Sequence, residues 1–201
     1  MLDLCVTNGK IVRPEGIIEA DLGIQGGKII QIGNVGAAAE TLDAKGLYIF
    51  PGVIDSHVHF REPGLTHKED LATGTLAAIA GGVTAIFEMP NTDPLTLGAD
   101  QLNDKLNRAK GRAYCDHAFY IGGAAVNAEH LGALEILPGC CGVKVFMGSS
   151  TGDLLAAEDD VLEKIFRHGN RRVSLHAEDN DRLTARKSIV EKSGDVKDHP
   201  V

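Results

Sequence analysis

In Asp-Ser-His-Val-His-Phe-Arg-Glu-Pro-Gly, residues 55 to 64, two histidines flank one valine and an arginine follows at the next alternate position. Side chains of a strand alternate faces, so His57, His59 and Arg61 are expected to project together, with Ile54, Val58 and Phe60 on the other face. Imidazole is a ready zinc ligand, and a guanidinium beside it can clamp a carboxylate with two parallel hydrogen bonds. The plainer alternatives are two hydrogen-bonded histidines at a strand edge and a surface ion pair for Arg61. Three further polar residues stand at the ends of apolar runs. Asn91 follows Val-Thr-Ala-Ile-Phe-Glu-Met, Lys144 interrupts Val-Lys-Val-Phe-Met, and His176 closes Arg-Val-Ser-Leu-His on the same face as Ser174. A lysine among valines is costly to bury unless it is neutralised or liganded. An ammonium has no lone pair, so Lys144 could bind a metal only as a modified anion such as a carbamate; the alternative is an ion pair with Glu88. His67, His117, His130, His168 and His199 are assigned ordinary hydrogen-bonding or solvent-facing roles. The acidic run Glu-Asp-Asn-Asp-Arg after His176 is read as a helix start, with acids near the positive end of the dipole.

The elements that must position these residues change character along the chain. Two β-prone runs flank Asn8-Gly9 and two more flank Gly26-Gly27, the strongest short-range hairpin signals. Residues 1 to 50 are therefore expected to form a small antiparallel β unit, with a boundary near Pro51. From Pro51 onward, strand-like and helix-like runs alternate through five βα steps, which predicts a parallel sheet. Helices are expected at 67–80, at 100–111 with Leu102, Leu106 and Ala109 on one face, at 127–137 and at 158–169. Gly111 and Gly169 occupy expected helix C-terminal positions. Short helices rich in Ala and Gly suit a closed (β/α) barrel, whose active site lies at the C-terminal strand ends. His57, His59, Asn91, Lys144 and His176 all fall at such ends.

Composition narrows the function classes. With 20 Lys and Arg against 28 Asp and Glu, the formal charge is −8 and no basic stripe stands out, which argues against nucleic-acid binding. No apolar run has membrane-spanning length, and the N-terminus reads as strand and turn, not as a leader. Cys5, Cys115, Cys140 and Cys141 have no metal-knuckle spacing and are read as incidental thiols of a cytoplasmic protein.

The stretch from Pro51 to Pro94, with His-Phe-Arg-Glu-Pro-Gly and Met-Pro-Asn-Thr, resembles the dihydroorotase signature of the amidohydrolase superfamily, and the likeness continues through residues 142–155 and 174–182. The resemblance implies an α/β fold: a TIM-type (β/α)8 barrel, of which residues 51–201 carry the first five strands, beside a small β-sandwich-like domain begun by residues 1–50. It implies two zinc ions, with His57 and His59 on one, a carboxylated Lys144 bridging both and His176 on the second. Arg61 and Asn91 are implied as contacts to the substrate carboxylate. The implied reaction is reversible hydrolysis of dihydroorotate to N-carbamoyl-L-aspartate in pyrimidine synthesis. The alternatives are a related cyclic amidase (allantoinase, or dihydropyrimidinase/hydantoinase) and a non-catalytic scaffold for a partner enzyme. Self-association or association with a transcarbamoylase is expected on the same basis. The family's further metal histidine and its catalytic aspartate have no counterpart before Val201. Residues 1–201 are therefore expected to be the N-terminal part of a longer chain, inactive by themselves.

Overall fold

A computed structural model describes residues 1–148 and 154–193, which fall into two compact units dividing between Val53 and Ile54. In the first unit, β4 (Asp21–Gln25) and β5 (Lys28–Gly33) form the expected hairpin, with Gln25 opposite Lys28. Gly26 and Gly27, at φ 58° and 72°, supply the left-handed turn that only glycine adopts without strain. The Asn8-Gly9 turn behaves differently from expectation. The strands it joins, β1 (Leu2–Thr7) and β2 (Lys10–Arg13), belong to different sheets. One sheet runs β5-β4-β1-β6 and the other β3-β2-β7, where β3 is Gly16–Glu19, β6 is Ala38–Asp43 and β7 is Tyr48–Ile49. Asn8 at φ 61° is tied by its side chain to Asp43 and by its backbone amide to Asp21, and these bonds redirect the chain between sheets. The unit is also not purely antiparallel, because β1–β6 and β2–β7 pair in parallel. Val6, Ile11, Leu22 and Ala44 form one core that draws on both sheets.

In the second unit, β8 (Val53–Val58), β9 (Val83–Glu88), β10 (Asp116–Gly122), β11 (Cys140–Phe146) and β12 (Val173–His176) lie side by side in chain order. The β9–β10, β10–β11 and β11–β12 registers are parallel. Sequential parallel strands separated by helices are the arrangement of a (β/α) barrel wall, and these five form part of one. The helices are α1 (Leu71–Ala80), α2 (Ala99–Ala109), α3 (Leu131–Leu134), α4 (Asp159–His168) and α5 (Asn180–Ser193). Asp70 caps α1 by accepting from the Thr73 amide at 2.8 Å, so the helix starts later than the apolar pattern suggested. Leu102 and Ala109 of α2 join Phe119, Ile121, Val143, Val145, Leu131 and Ile165 in a single core. Gly111 takes the left-handed conformation expected after α2, at φ 71°. Gly169, which caps α4 at φ −79°, does not. Among the described residues no helix is long and apolar enough to cross a membrane.

Candidate active site

The C-terminal end of β8 brings the two histidines together. His57 Nε2 and His59 Nε2 face each other at 3.3 Å. Two nitrogens bound to one tetrahedral zinc at about 2.0–2.1 Å also stand about 3.3 Å apart, so the pair has the bite of a metal chelate. The same separation suits an N–H···N bond, which means that a proton and a metal compete for this position. His59 Nδ1 donates to Asn91 Oδ1 at 2.8 Å. That bond places the ring proton on Nδ1 and leaves the Nε2 lone pair aimed at the chelating position. Asn91 arrives from the loop after β9, so two neighbouring strand ends build this feature.

Burial and neighbouring charges bias both rings toward the neutral form. Partial desolvation lowers the pKa of His57 first, helped by the charges of Lys144 and His176 and opposed by Asp55. Desolvation also leads for His59, where the Asn91 bond opposes it and Arg61, His57 and Lys144 lower it further. Lys144 thus acts on both rings, and His176 on His57 alone. Lys144 on β11 is only 1% exposed, and burial pushes its amine down from the usual lysine range. Its Nζ lies 5.0 Å from the centre of the Phe146 ring, and among the described residues no carboxylate comes within ion-pair distance. The expected alternative partner, Glu88, is instead 2.9 Å from Lys105. Burial without an acid partner biases this amine toward its neutral, nucleophilic form. His176 ends β12 beside Phe146 and stacks on its ring, with centroids 5.9 Å apart. Its Nε2 is 2.9 Å from Glu178 Oε2.

Arg61 departs from the expected strand face. The strand stops at Val58, and Arg61 sits beyond it in the left-handed region at φ 67°. Period-two alternation applies only while the backbone stays extended. Ile54 likewise does not reach a core and is 57% exposed on the edge strand, while Val58 is buried and Phe60 packs on the core. Among the described residues no three His, Cys, Asp or Glu side chains gather closely enough to hold an ion, so the assembled donors are the two histidines with Lys144 nearby. His117 and His168 bond to the Cys115 and Lys164 carbonyls, and His67 and His130 are exposed; His199 lies outside the described residues. Asp179 caps the helix that follows His176 by accepting from the Arg182 amide. All four cysteines are free.

Glu62 escaped the sequence reading, and Glu88 was named there only as an alternative partner for Lys144. Glu62 accepts from Arg112 at 2.6 Å and from the Leu71 amide at 2.9 Å. Glu88 pairs with Lys105, which lies on the same helical stripe as Leu102, Leu106 and Ala109. A lysine on a core stripe was the legible signal for that pair.

Known proteins resemble this chain in sequence and fold. Residues 46–130 match a family described as dihydro-orotase-like, and residues 1–50 match the N-terminal domain of the urease alpha-subunit. An allantoinase of Deinococcus radiodurans is 40% identical across 98% of this chain and 46% of its own length. An allantoinase of Desulfitobacterium hafniense is also 40% identical, over 83% of this chain and 39% of its own. Among solved structures, the L-hydantoinase (dihydropyrimidinase) of Arthrobacter aurescens superposes with a TM-score of 0.90 at 30% identity, covering 97% of this chain and 45% of that one. The chain thus spans less than half the length of these relatives. It belongs to the cyclic-amidase group of the amidohydrolase superfamily. Within that group these relatives carry the names allantoinase and hydantoinase, so the dihydroorotase expectation gives way to the broader class.

Proposed function

We propose that the protein takes part in hydrolysis of an amide bond in a cyclic ureide, with a hydantoin-type ring such as that of allantoin as the first candidate. The observation that carries this reading is the 3.3 Å pair of imidazole nitrogens with its tautomer set by Asn91. His57 and His59 would hold one ion, and His176 would contribute to a second. Lys144 would bridge them after its free amine adds to carbon dioxide, forming an N–C bond and releasing one proton. Zinc held there would supply Lewis-acid polarisation of the ring carbonyl and an acidified water. The chain's own side chains do the rest. Asn91 keeps the His59 lone pair directed inward, and its amide nitrogen remains available to donate to a substrate carbonyl. The Arg61 guanidinium offers a forked donor for a carboxylate or ureido oxygen.

A second reading, dihydroorotate as substrate, is supported by the dihydro-orotase-like match and by an arginine suited to a substrate carboxylate. Turnover of allantoin, hydantoin, dihydrouracil and dihydroorotate by the zinc-loaded protein separates the two. Preference for the hydantoin rings is expected. Preference for dihydroorotate would favour the second reading. Zinc binding without turnover of any ring would sink both and favour a non-catalytic scaffold.

A further inference from the structure

The turn that follows β8 is anchored by a side chain that the proposed chemistry leaves unused. Glu62, next to Arg61, is 4% exposed, and its carboxylate bridges two helices. Its Oε2 accepts from the amide of Leu71, the first residue of α1, at 2.9 Å. Its Oε1 accepts from Arg112 Nη1, just past the end of α2, at 2.6 Å. Arg112 Nη2 adds a longer bond to Oε2 at 3.3 Å. Helix α1 already has its own cap in Asp70, so starting that helix does not account for the acid.

What the clamp does fix is the backbone on either side of Glu62. Arg61, the residue before it, holds φ 67°, which is unfavourable for a residue with a Cβ and persists only where its surroundings over-determine it. The Arg61 carbonyl accepts from the Leu65 amide at 3.0 Å, closing the turn. Pro63, the residue after, offers its carbonyl to the Asp93 amide at 3.1 Å. Gly64 lies so close to the Asp93 backbone that a Cβ would clash there. Asp93 belongs to the same loop as Asn91, so the clamp adjoins both Arg61 and the bond that joins the two rim loops. We infer that Glu62 is a positioning residue: held by Leu71 and Arg112, it fixes the left-handed turn that sets Arg61 against the Asn91 loop for substrate binding. This rests on the reading that Arg61 meets the substrate.

Glu62→Gln keeps the shape of the side chain but turns an amide NH2 toward one of the two donors, so the clamp loses a bond. In the zinc-loaded protein, KM for the ring turned over should rise about tenfold. kcat and zinc per chain should stay near those of the unaltered protein. Because Glu62 acts through Arg61, the same change in an Arg61→Met background should move KM by about twofold or less. Asp70→Ala removes the cap at the same end of α1 and should lower Tm without moving KM. Hydrogen exchange at the Leu65 and Asp93 amides needs no substrate, and it should be about tenfold faster in Glu62→Gln and unchanged in Asp70→Ala. A KM rise of the same size in both Arg61 backgrounds, or an Asp70→Ala protein that matches Glu62→Gln in KM, would overturn the inference. Should Glu62→Gln not fold, Arg112→Met removes the half-exposed partner and should raise KM and speed exchange at both amides; no change in either would overturn it. Absence of turnover with every ring counts against the proposed function, and exchange then decides the inference: unchanged rates at Leu65 and Asp93 in Glu62→Gln refute it.

Discussion

Asn91→Ala tests the chelate most directly. The variant removes one hydrogen bond of 2.8 Å to His59 Nδ1 and frees the ring both to rotate and to exchange tautomers. A neutral bond of this kind contributes about 1 kcal/mol net. Outer-shell partners of a metal-binding histidine commonly carry 10- to 100-fold in affinity. Zinc affinity should therefore fall about 10- to 100-fold, equivalent to about 1.4–2.7 kcal/mol. Asn91→Asp replaces the amide acceptor by a charged one, whose bond is about twice as strong, so its affinity should match or exceed that of the unaltered protein. The assay is competition for zinc against a chromophoric chelator at fixed pH, with the fold checked by circular dichroism. It measures the metal and not turnover, so it is independent of any contact between Asn91 and substrate. An Asn91→Ala protein with unchanged zinc affinity would show that the 3.3 Å pair is only a hydrogen-bonded strand edge.

Lys144→Ala should lose turnover and part of the bound zinc, both partly restored by a short carboxylic acid, whereas Lys144→Met should lose them but melt no lower, because it removes a buried amine that has no acid. An unmodified lysine in the mass spectrum of an active, metal-loaded protein would refute the bridging role. Glu62→Gln should cost about 1–2 kcal/mol at neutral pH, allowing for the partly exposed Arg112. Burial raises the Glu62 pKa, but Arg112 and the Leu71 amide outweigh it and hold the group below its ordinary value. Its contribution is therefore present above about pH 4.3 and lost as pH falls through the lower folded-state value. The stability profile of Glu62→Gln from pH 7 to pH 2 should be flatter, and a parallel profile would contradict this. Gly64→Ala places a methyl group on the Asp93 backbone at φ 90° and should destabilise by about 3 kcal/mol in urea titration; a loss below about 0.5 kcal/mol would show that the two rim loops can part freely.

Local chemistry made much of this protein legible. Alternating apolar runs and glycine turns specified the βα order of the second unit and the β4–β5 hairpin, because side-chain period and φ preference are properties of a few adjacent residues. Residue type alone marked His57, His59, Asn91, Lys144 and His176, since a polar group at the end of an apolar strand needs a reason to be there. Other features required the fold. Nothing in Asn8-Gly9 says that its flanking strands enter different sheets; the bonds to Asp21 and Asp43, far along the chain, decide it. Arg61 left the strand face because the strand ends at Val58 and its backbone turns left-handed. Glu88, offered as one alternative partner for Lys144, pairs with Lys105 instead, because strand and helix spacing fix which face a residue occupies, not which residue of another element meets it. Period and residue type are written locally; pairing partners are set only when distant segments pack, and the rim of this site is built from such pairings.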